Sequence, residues 1–252
     1  MHLLAIPDLP TIDPGDKLAT VIIESIITAG MEVLDGDILV IAQKIVSKSE
    51  DRYVDLTSIR PSFKAQNLAK LVDKDPRLVE VILSESNEIV RYSPGVLIVV
   101  HRLGYVMANA GVDASNLEPT SKGGERVLLL PQDPNSTCAS LREHFEKQFN
   151  RRIGVIISDS VGRAWRNGSI GMALGVAGPP ALWDRVGEID LYGRPLRITQ
   201  IGFADQIASA AALVMGEGAE GLPVIKVSGL NWNPVETNAD ILLRSKEEDL
   251  FR

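Results

Sequence analysis

Residues 153–168 read IGVIISDSVGRAWRNG. The six from Ile153 to Ser158 are an apolar run of strand length, the mark of a strand buried in a sheet. It delivers Asp159 and Ser160 at its end, where ligands gather in open α/β sheets. Beyond Asp159 the texture changes. From Gly162 to Gly193 glycine, proline and arginine are frequent and periodicity fades, which predicts a long functional loop. Arg163 and Arg166, three apart within it, suit a clamp on anionic oxygens; they also suit plain surface charges or partners of Asp159. Gly168 to Pro180 (GSIGMALGVAGPP) carries Met172, Leu174 and Val176 with neither helical nor strand period. That predicts either cover from a second copy of the chain or a lid over its own core.

Working outward, Asp16–Ala29 places Leu18, Val21, Ile22 and Ile26 on one helical face. Asp35-Gly36 then turns the chain into an apolar strand over 37–42. Asp75-Pro76 pairs an N-cap with proline at the first helical position and opens a helix through Val79, Ile82 and Leu83. Val96–His101 and Tyr105–Ala108 flank Arg102-Leu103-Gly104 as a hairpin, and Val127–Leu130 is a further short strand. Asn135-Ser136 caps a helix to about Phe149. Leu196–Phe203 reads as a strand, Asp205–Met215 as a helix, Pro223–Val227 as a strand, and Glu236 onward as a polar helix. Strands come in adjacent pairs as well as between helices. The pattern therefore predicts an α+β fold, mixed or antiparallel sheets with helices, in one domain over 1–252 with room for two interwoven subdomains.

The chain has 252 residues, 45% hydrophobic and 23% charged, the profile of a globular enzyme rather than a disordered segment. No apolar run approaches the ~18–20 residues of a membrane span, and MHLLAIPDLP lacks a basic leader region, so the expected location is the cytoplasm. Its single cysteine, Cys138, excludes a disulfide framework and a cysteine-based zinc site. The net charge of −7 and scattered Lys and Arg argue against nucleic acid. An acidic chain can still bind phosphate esters when a divalent cation bridges carboxylate to phosphate. His2, His101 and His144 lie far apart and read as surface or packing residues.

Nucleotide motifs narrow the chemistry. GxxxxGK[ST] does not occur, so there is no P-loop. Gly216-Glu217-Gly218-Ala219-Glu220-Gly221 matches G-x-G-x-x-G but follows a helix and precedes a strand, the reverse of the dinucleotide fingerprint. What remains is a glycine loop open to close ligand approach, or a plain helix C-cap turn. Asn109-Ala110-Gly111-Val112-Asp113-Ala114-Ser115-Asn116 offers Asp113 to a cation and Asn116 to a ligand, or an Asx turn bonding its own backbone. Two aspartates at strand ends and a glutamate in a glycine loop favour Mg²⁺ or Mn²⁺. Gln43-Lys44 and Ser47-Lys48, just past a strand, suit phosphate contacts; lysines there also suit plain solvated surface. Asp190-Leu191-Tyr192-Gly193-Arg194 has no assignable chemistry on first principles and reads as a turn with a polar aromatic and a cation, open to an organic substrate.

In this order LP near residue 9, GDILVIAQKIVSK, NAGVDASN, SDSVGRAWRNG, DLYGR and MGEG resemble the F420 γ-glutamyl ligase family along nearly the whole chain. The resemblance implies a homodimeric, cytoplasmic α+β enzyme without a P-loop. Such an enzyme adds L-glutamate to the lactyl-phosphate end of the deazaflavin coenzyme F420-0 through an acyl phosphate. It implies GTP as co-substrate and Mg²⁺ or Mn²⁺, two ions, with K⁺ as a further candidate. By position it implies Asp113, Asp159, Ser160 and Glu217 as metal ligands. Leu9, Pro10, Gln43, Lys44, Lys48, Asn116, Met215, Gly216, Glu217, Gly218 and Gly221 become nucleotide contacts. The mechanism that fits makes Asp113 and Asp159 catalytic, with Arg163 and Arg166, by their nearness in sequence, to stabilise the acyl phosphate or hold the incoming glutamate. Ser160 stands where many members have threonine, and Ala204-Asp205-Gln206 where Ala-Asp-Glu is common. The flavin reductase-like C-terminal domain of some bacterial relatives is not expected here. Two rival readings use the same residues: a metal-dependent nucleotide phosphohydrolase and a non-catalytic deazaflavin-binding protein.

Overall fold

The computed structural model describes residues 1–117 and 125–250. Along the chain run β1 (His2–Ala5), α1 (Leu18–Thr28), β2 (Ile38–Ala42), α2 (Gln43–Ser49), β3 (Tyr53–Asp55), α3 (Phe63–Val72) and α4 (Pro76–Ser84). Then come β4 (Ser86–Ser93), β5 (Val96–His101), β6 (Val106–Ala108), β7 (Arg126–Leu128), α5 (Pro134–Phe149), β8 (Gly154–Arg163) and β9 (Arg166–Ala177). β10 (Leu182–Asp184), β11 (Gln200–Gly202), α6 (Phe203–Met215) and β12 (Val224–Ser228) complete the set. It is a mixed α+β architecture. No helix among the described residues is long and apolar enough to cross a membrane.

The central sheet has the order β1-β12-β2-β8-β9, antiparallel throughout except that β2 and β8 run parallel. Leu39, Ile41, Val155 and Ile157 face Ile22 and Ile26 of α1 and Leu141 and Phe145 of α5. Ile38, Val40 and Ile156 face the other way, onto Ile207 and Ala211 of α6. Burial on both faces explains why β2 and β8 carry continuous apolar runs instead of alternation. A smaller unit packs α3 and α4 through Leu68, Val72, Val79 and Ile82 onto Leu97 and Val99 of the β4-β5-β6 meander.

The expected Asp75-Pro76 helix start is present, with Asp75 Oδ1 accepting from the Arg77 N–H at 2.7 Å. Capping of α5 falls instead to Asp133, whose Oδ1 accepts from Ser136 N at 3.0 Å, because proline takes the first helical position. The hairpin at Arg102-Leu103-Gly104 forms as read. Half-buried Glu85 braces it: burial alone would raise its carboxyl, but the His101 imidazole 3.5 Å away, the hydrogen bond from Arg102 and the charge of Arg52 hold it near 2. His101 itself is buried, with Nδ1 accepting from Leu103 N at 3.0 Å, a packing role.

The long loop expected from Gly162 does not exist over its first half. Residues 166–177 are instead the outer strand of the central sheet. Leu174 and Val176 are buried by the chain's own helices, so the sequence argument for cover by a second copy fails there. Glycine misled the reading because it serves packing, not turning. A Cβ at Gly171 would lie 2.3 Å from the Ala208 carbonyl oxygen of α6, and one at Gly175 would lie 2.4 Å from that of Pro134. Both obstacles are backbone, so a helix must move. Gly175→Ala is expected to cost roughly 1–3 kcal/mol, as overpacking does. That lowers the melting temperature by roughly 2–12 °C for a chain of this size; a melt matching the parent would contradict the close contact.

Side chains seal the outer edge of β9. Asp205 accepts from Ala173 N at 2.9 Å, Asn135 accepts from Val176 N at 3.2 Å and Ser209 donates to Gly171 O at 2.7 Å. The Tyr105 hydroxyl donates to Leu174 O. Two further expectations are corrected. Leu196–Phe203 is strand only over Gln200–Gly202, which pairs with β10 rather than with the central sheet. From Glu236 the only helical turn among the described residues is a 3-10 turn, Ala239–Leu242. Between β10 and β11 an arm projects whose tip turn is held by Asp190, accepting from the N–H groups of Tyr192 and Arg194 at 2.8 and 2.9 Å. It exposes Val186, Ile189, Leu191, Tyr192 and Ile198.

Candidate functional site

Parallel pairing of β2 with β8 ends β2 against the middle of β8, with Ala42 opposite Ser158. Gln43 and Lys44 therefore follow one strand where Asp159 and Ser160 extend the other. Helix α2 carries Lys44 and Lys48 one turn apart on one face. Opposite them the β6 strand leads into Asn109, Ala110 and Gly111, all at positive φ (53°, 54° and 67°). That run turns the backbone sharply enough to present Asp113 and Asn116 to the lysines. A backbone bridge from Asp113 to Leu128 fixes the segment. From the other side α6 ends at Gly216 (φ 73°), and the glycine loop follows. Leu9 and Pro10 close the wall, and the whole encloses a cavity of about 520 Å³.

Lys44 Nζ lies 2.7 Å from Asp113 Oδ2 and donates to Ser115 Oγ and O at 2.9 and 3.1 Å. Ser115 returns its N–H to Asp113 Oδ1 at 2.7 Å, so the Asx turn and the ligand-facing carboxylate are one structure. Lys48 Nζ donates to Asn116 O at 3.3 Å, and Asn116 Nδ2 donates across the cavity to Gly218 O at 3.3 Å. Ser160 Oγ donates to Glu217 Oε1 at 2.7 Å, tying β8 to the glycine loop. That loop is braced internally by Glu220, which accepts from Gly218 N at 2.8 Å.

The two aspartates titrate apart. Burial would raise Asp113, but hydrogen bonds from Lys44 and Ser115 and the lysine charge hold it below the ordinary carboxylate range. Asp159 lacks such a partner. Desolvation and the nearby Asp113 charge push it up to about 7, against the Ser160 N–H, Lys44 and Gln43, which pull it down. A carboxylate strained in this way is short of positive charge. Among the described residues no three His, Cys, Asp or Glu side chains already converge as a metal cage. Asp113, Asp159, Ser160 and Glu217, which line the cavity, nonetheless all offer oxygen, the chemistry hard cations require. A divalent ion beside Asp159 would relieve the charge deficit, so the residues fit one.

Every residue expected to touch nucleotide or metal lines this cavity: Leu9, Pro10, Gln43, Lys44, Lys48, Asp113, Asn116, Asp159, Ser160, Met215, Gly216, Glu217, Gly218 and Gly221. Arg163 and Arg166 do not. They lie at the far end of the β8–β9 hairpin, and Arg163 donates to Gly168 O at 2.8 Å rather than pairing with Asp159. No histidine lines the cavity. Ser115 escaped the sequence reading as a contact; its place two residues after Asp113, where an Asx turn closes, was the available signal. A second cavity of about 190 Å³ opens on the other side of the acids. It shares Gln43, Asp113, Asp159 and Ser160 and is otherwise lined by Met107, Ala108, Gly111, Val112, Val161 and Gly162.

Comparison with known proteins finds relatives along nearly the whole chain. The profile described as F420-0:Gamma-glutamyl ligase matches residues 8–229. The coenzyme F420:L-glutamate ligase of Methanothermobacter thermautotrophicus is 41% identical over 100% of this chain and 99% of its own length. That of Methanocaldococcus jannaschii is 43% identical, over 97% of this chain and 94% of its own. A third, from Archaeoglobus fulgidus, is 38% identical over 100% and 96%.

Proposed function

The chain belongs to the F420-0:gamma-glutamyl ligase family, and from that premise we propose that it joins L-glutamate to coenzyme F420-0 in a reaction driven by GTP. A carboxylate resists attack by an amine. Transfer of the γ-phosphoryl group to the acceptor carboxylate makes an acyl phosphate. The glutamate amine then attacks the acyl carbon, the amide C–N bond forms, the C–O bond to phosphate breaks, and the amine loses a proton to solvent. A second glutamate adds in the same way through a γ-carboxylate.

The site residues divide this work. Lys44 and Lys48 bind polyphosphate, and Asp113 and Ser115 orient the Lys44 ammonium. The loop from Met215 to Gly221 lets the nucleotide lie close to backbone. Asp113, Asp159, Ser160 and Glu217 would hold two Mg²⁺ or Mn²⁺ ions. Bound there, the ions supply charge neutralisation on the transferred phosphoryl group. Asp159 keeps its carboxylate for a cation and is not the base.

One observation carries the reading: a cation-deficient carboxylate and a lysine lie close together where β2 ends against β8, in a cavity lined by a glycine loop. Incubation with GTP, Mn²⁺, glutamate and coenzyme F420-0 should give a product heavier by one glutamyl residue, with GDP formed only when the acceptor is present. GDP released at an equal rate without acceptor would favour a phosphohydrolase. A homodimer belongs to the same reading, now resting on the exposed apolar arm between β10 and β11. Sedimentation of a fully active single chain at micromolar concentration would overturn it.

A further inference from the structure

Tryptophan at position 165 is out of place by local rules. It sits at the turn of the β8–β9 hairpin, between Ala164 and Arg166, with φ +65° and 84% of its surface exposed. Glycine is the residue that such a turn position favours. A large ring there is strained and contributes little to the core; strain of this sort is kept where the residue is used. Beside it Arg163 and Arg166 occupy directly opposed positions across the hairpin, a like-charge pairing that an anion between them would relieve. Among the described residues the Arg166 side chain makes neither ion pair nor hydrogen bond; its backbone pairs with that of Arg163.

The hairpin is also the strand of the reaction site. Asp159 and Ser160 lie midway along its first strand, and the smaller cavity runs from them along Val161 to Gly162, one residue short of Arg163. No cationic side chain lines that cavity, so it suits a neutral or metal-neutralised end of a ligand rather than a free amino acid with three charges. At about 3.3 Å per extended residue, the tip stands roughly 15–20 Å from Asp159.

We propose that the smaller cavity and the hairpin tip form one binding track for the acceptor. Its terminal carboxylate lies in the cavity beside Asp159, its anionic linker passes Arg163 and Arg166, and its flat conjugated ring stacks on Trp165. The nucleotide occupies the larger cavity on the opposite side of the acids, so phosphoryl donor and acceptor meet across them. The track rests on the ligase reading for the identity of its ligand. Its recognition chemistry, an aromatic face behind a guanidinium pair, specifies a planar ring with an anionic tail whatever the reaction.

The test measures coenzyme F420-0 affinity by calorimetry and quenching of tryptophan fluorescence as a separate readout, alongside steady-state kinetics. Trp165→Ala should weaken acceptor binding roughly tenfold, within the range expected for loss of one ring stack. The acceptor KM should rise in step while the KM values for GTP and glutamate stay put. Trp165→Phe should keep most of the affinity but lose most of the quenching. Trp165→Gly, which relieves the left-handed backbone, should melt no lower than the parent and still bind poorly, separating recognition from folding. Unchanged acceptor Kd and KM in Trp165→Ala, with ligation intact, overturns the track and leaves the ligase reading standing. Quenching that is present in the parent and lost in Trp165→Phe, in a protein that never ligates, upholds the track and removes the ligase reading.

Discussion

Asp159→Asn is expected to lower ligation turnover by about a thousandfold, the scale seen when one preorganised charge-stabilising group is removed. The amide keeps the shape of the side chain and its hydrogen bond from Ser160 but is a far weaker ligand for Mg²⁺. Folding should not suffer. With its carboxyl raised from an ordinary value to about 7, the native state holds a proton that the unfolded chain has released. Between those two values stability therefore falls as pH rises, and above 7 the ionised carboxylate opposes folding in full. An amide has no such charge, so Asp159→Asn should melt at or above the parent at pH 8 and converge with it below pH 4. Turnover within tenfold of the parent at equal metal concentration would remove Asp159 from the reaction.

Removing divalent cations should weaken GTP binding about a hundredfold, because a polyphosphate must otherwise approach Asp113, Asp159 and Glu217 with only Lys44 and Lys48 to offset them. Lys44 is already committed to Asp113 at 2.7 Å. The same electrostatics give the pH dependence. Protonated Asp159 cannot serve a cation, so metal affinity should fall about tenfold per pH unit below 7 and level off above it. Calorimetry at pH 6 in buffers of different ionisation enthalpy should register close to one proton released per metal bound. Equal GTP affinity with and without excess chelator would contradict a bridging cation.

How much of this was legible beforehand depended on whether a local pattern had one physical meaning. The runs over 37–42 and 153–158 could only be buried strands, and Asp75-Pro76 could only open a helix. The nucleotide and metal residues expected by resemblance all fall around one cavity, because they follow the ends of those strands or the end of α6. Gly168–Pro180 failed because glycine has two uses. At Gly171 and Gly175 it makes room for the backbones of α6 and α5, and no sequence period records a neighbour that arrives from elsewhere in the chain. Helix α2 was missed for a related reason: Gln43 follows Ala42 without a break, and no side chain caps its start. Arg163 and Arg166 were assigned to the reacting end on proximity in sequence, whereas an extended strand carries them away from Asp159.

The pairing of β1 with β12 has a consequence for biosynthesis. His2 lies opposite Ser228 and Ala5 opposite Ile225, so β1, made before β2 to β11, is completed by β12, made after them. Until β12 has been made, β1 has no partner in the central sheet, and its neighbour across that gap, β2, has a bare edge as well. The smaller unit of α3, α4 and the β4-β5-β6 meander draws its contacts from a compact span of sequence and can form while translation continues. The nascent chain thus emerges with its inserted portion folded first and its central sheet open, an interval in which strand edges must be kept from other chains.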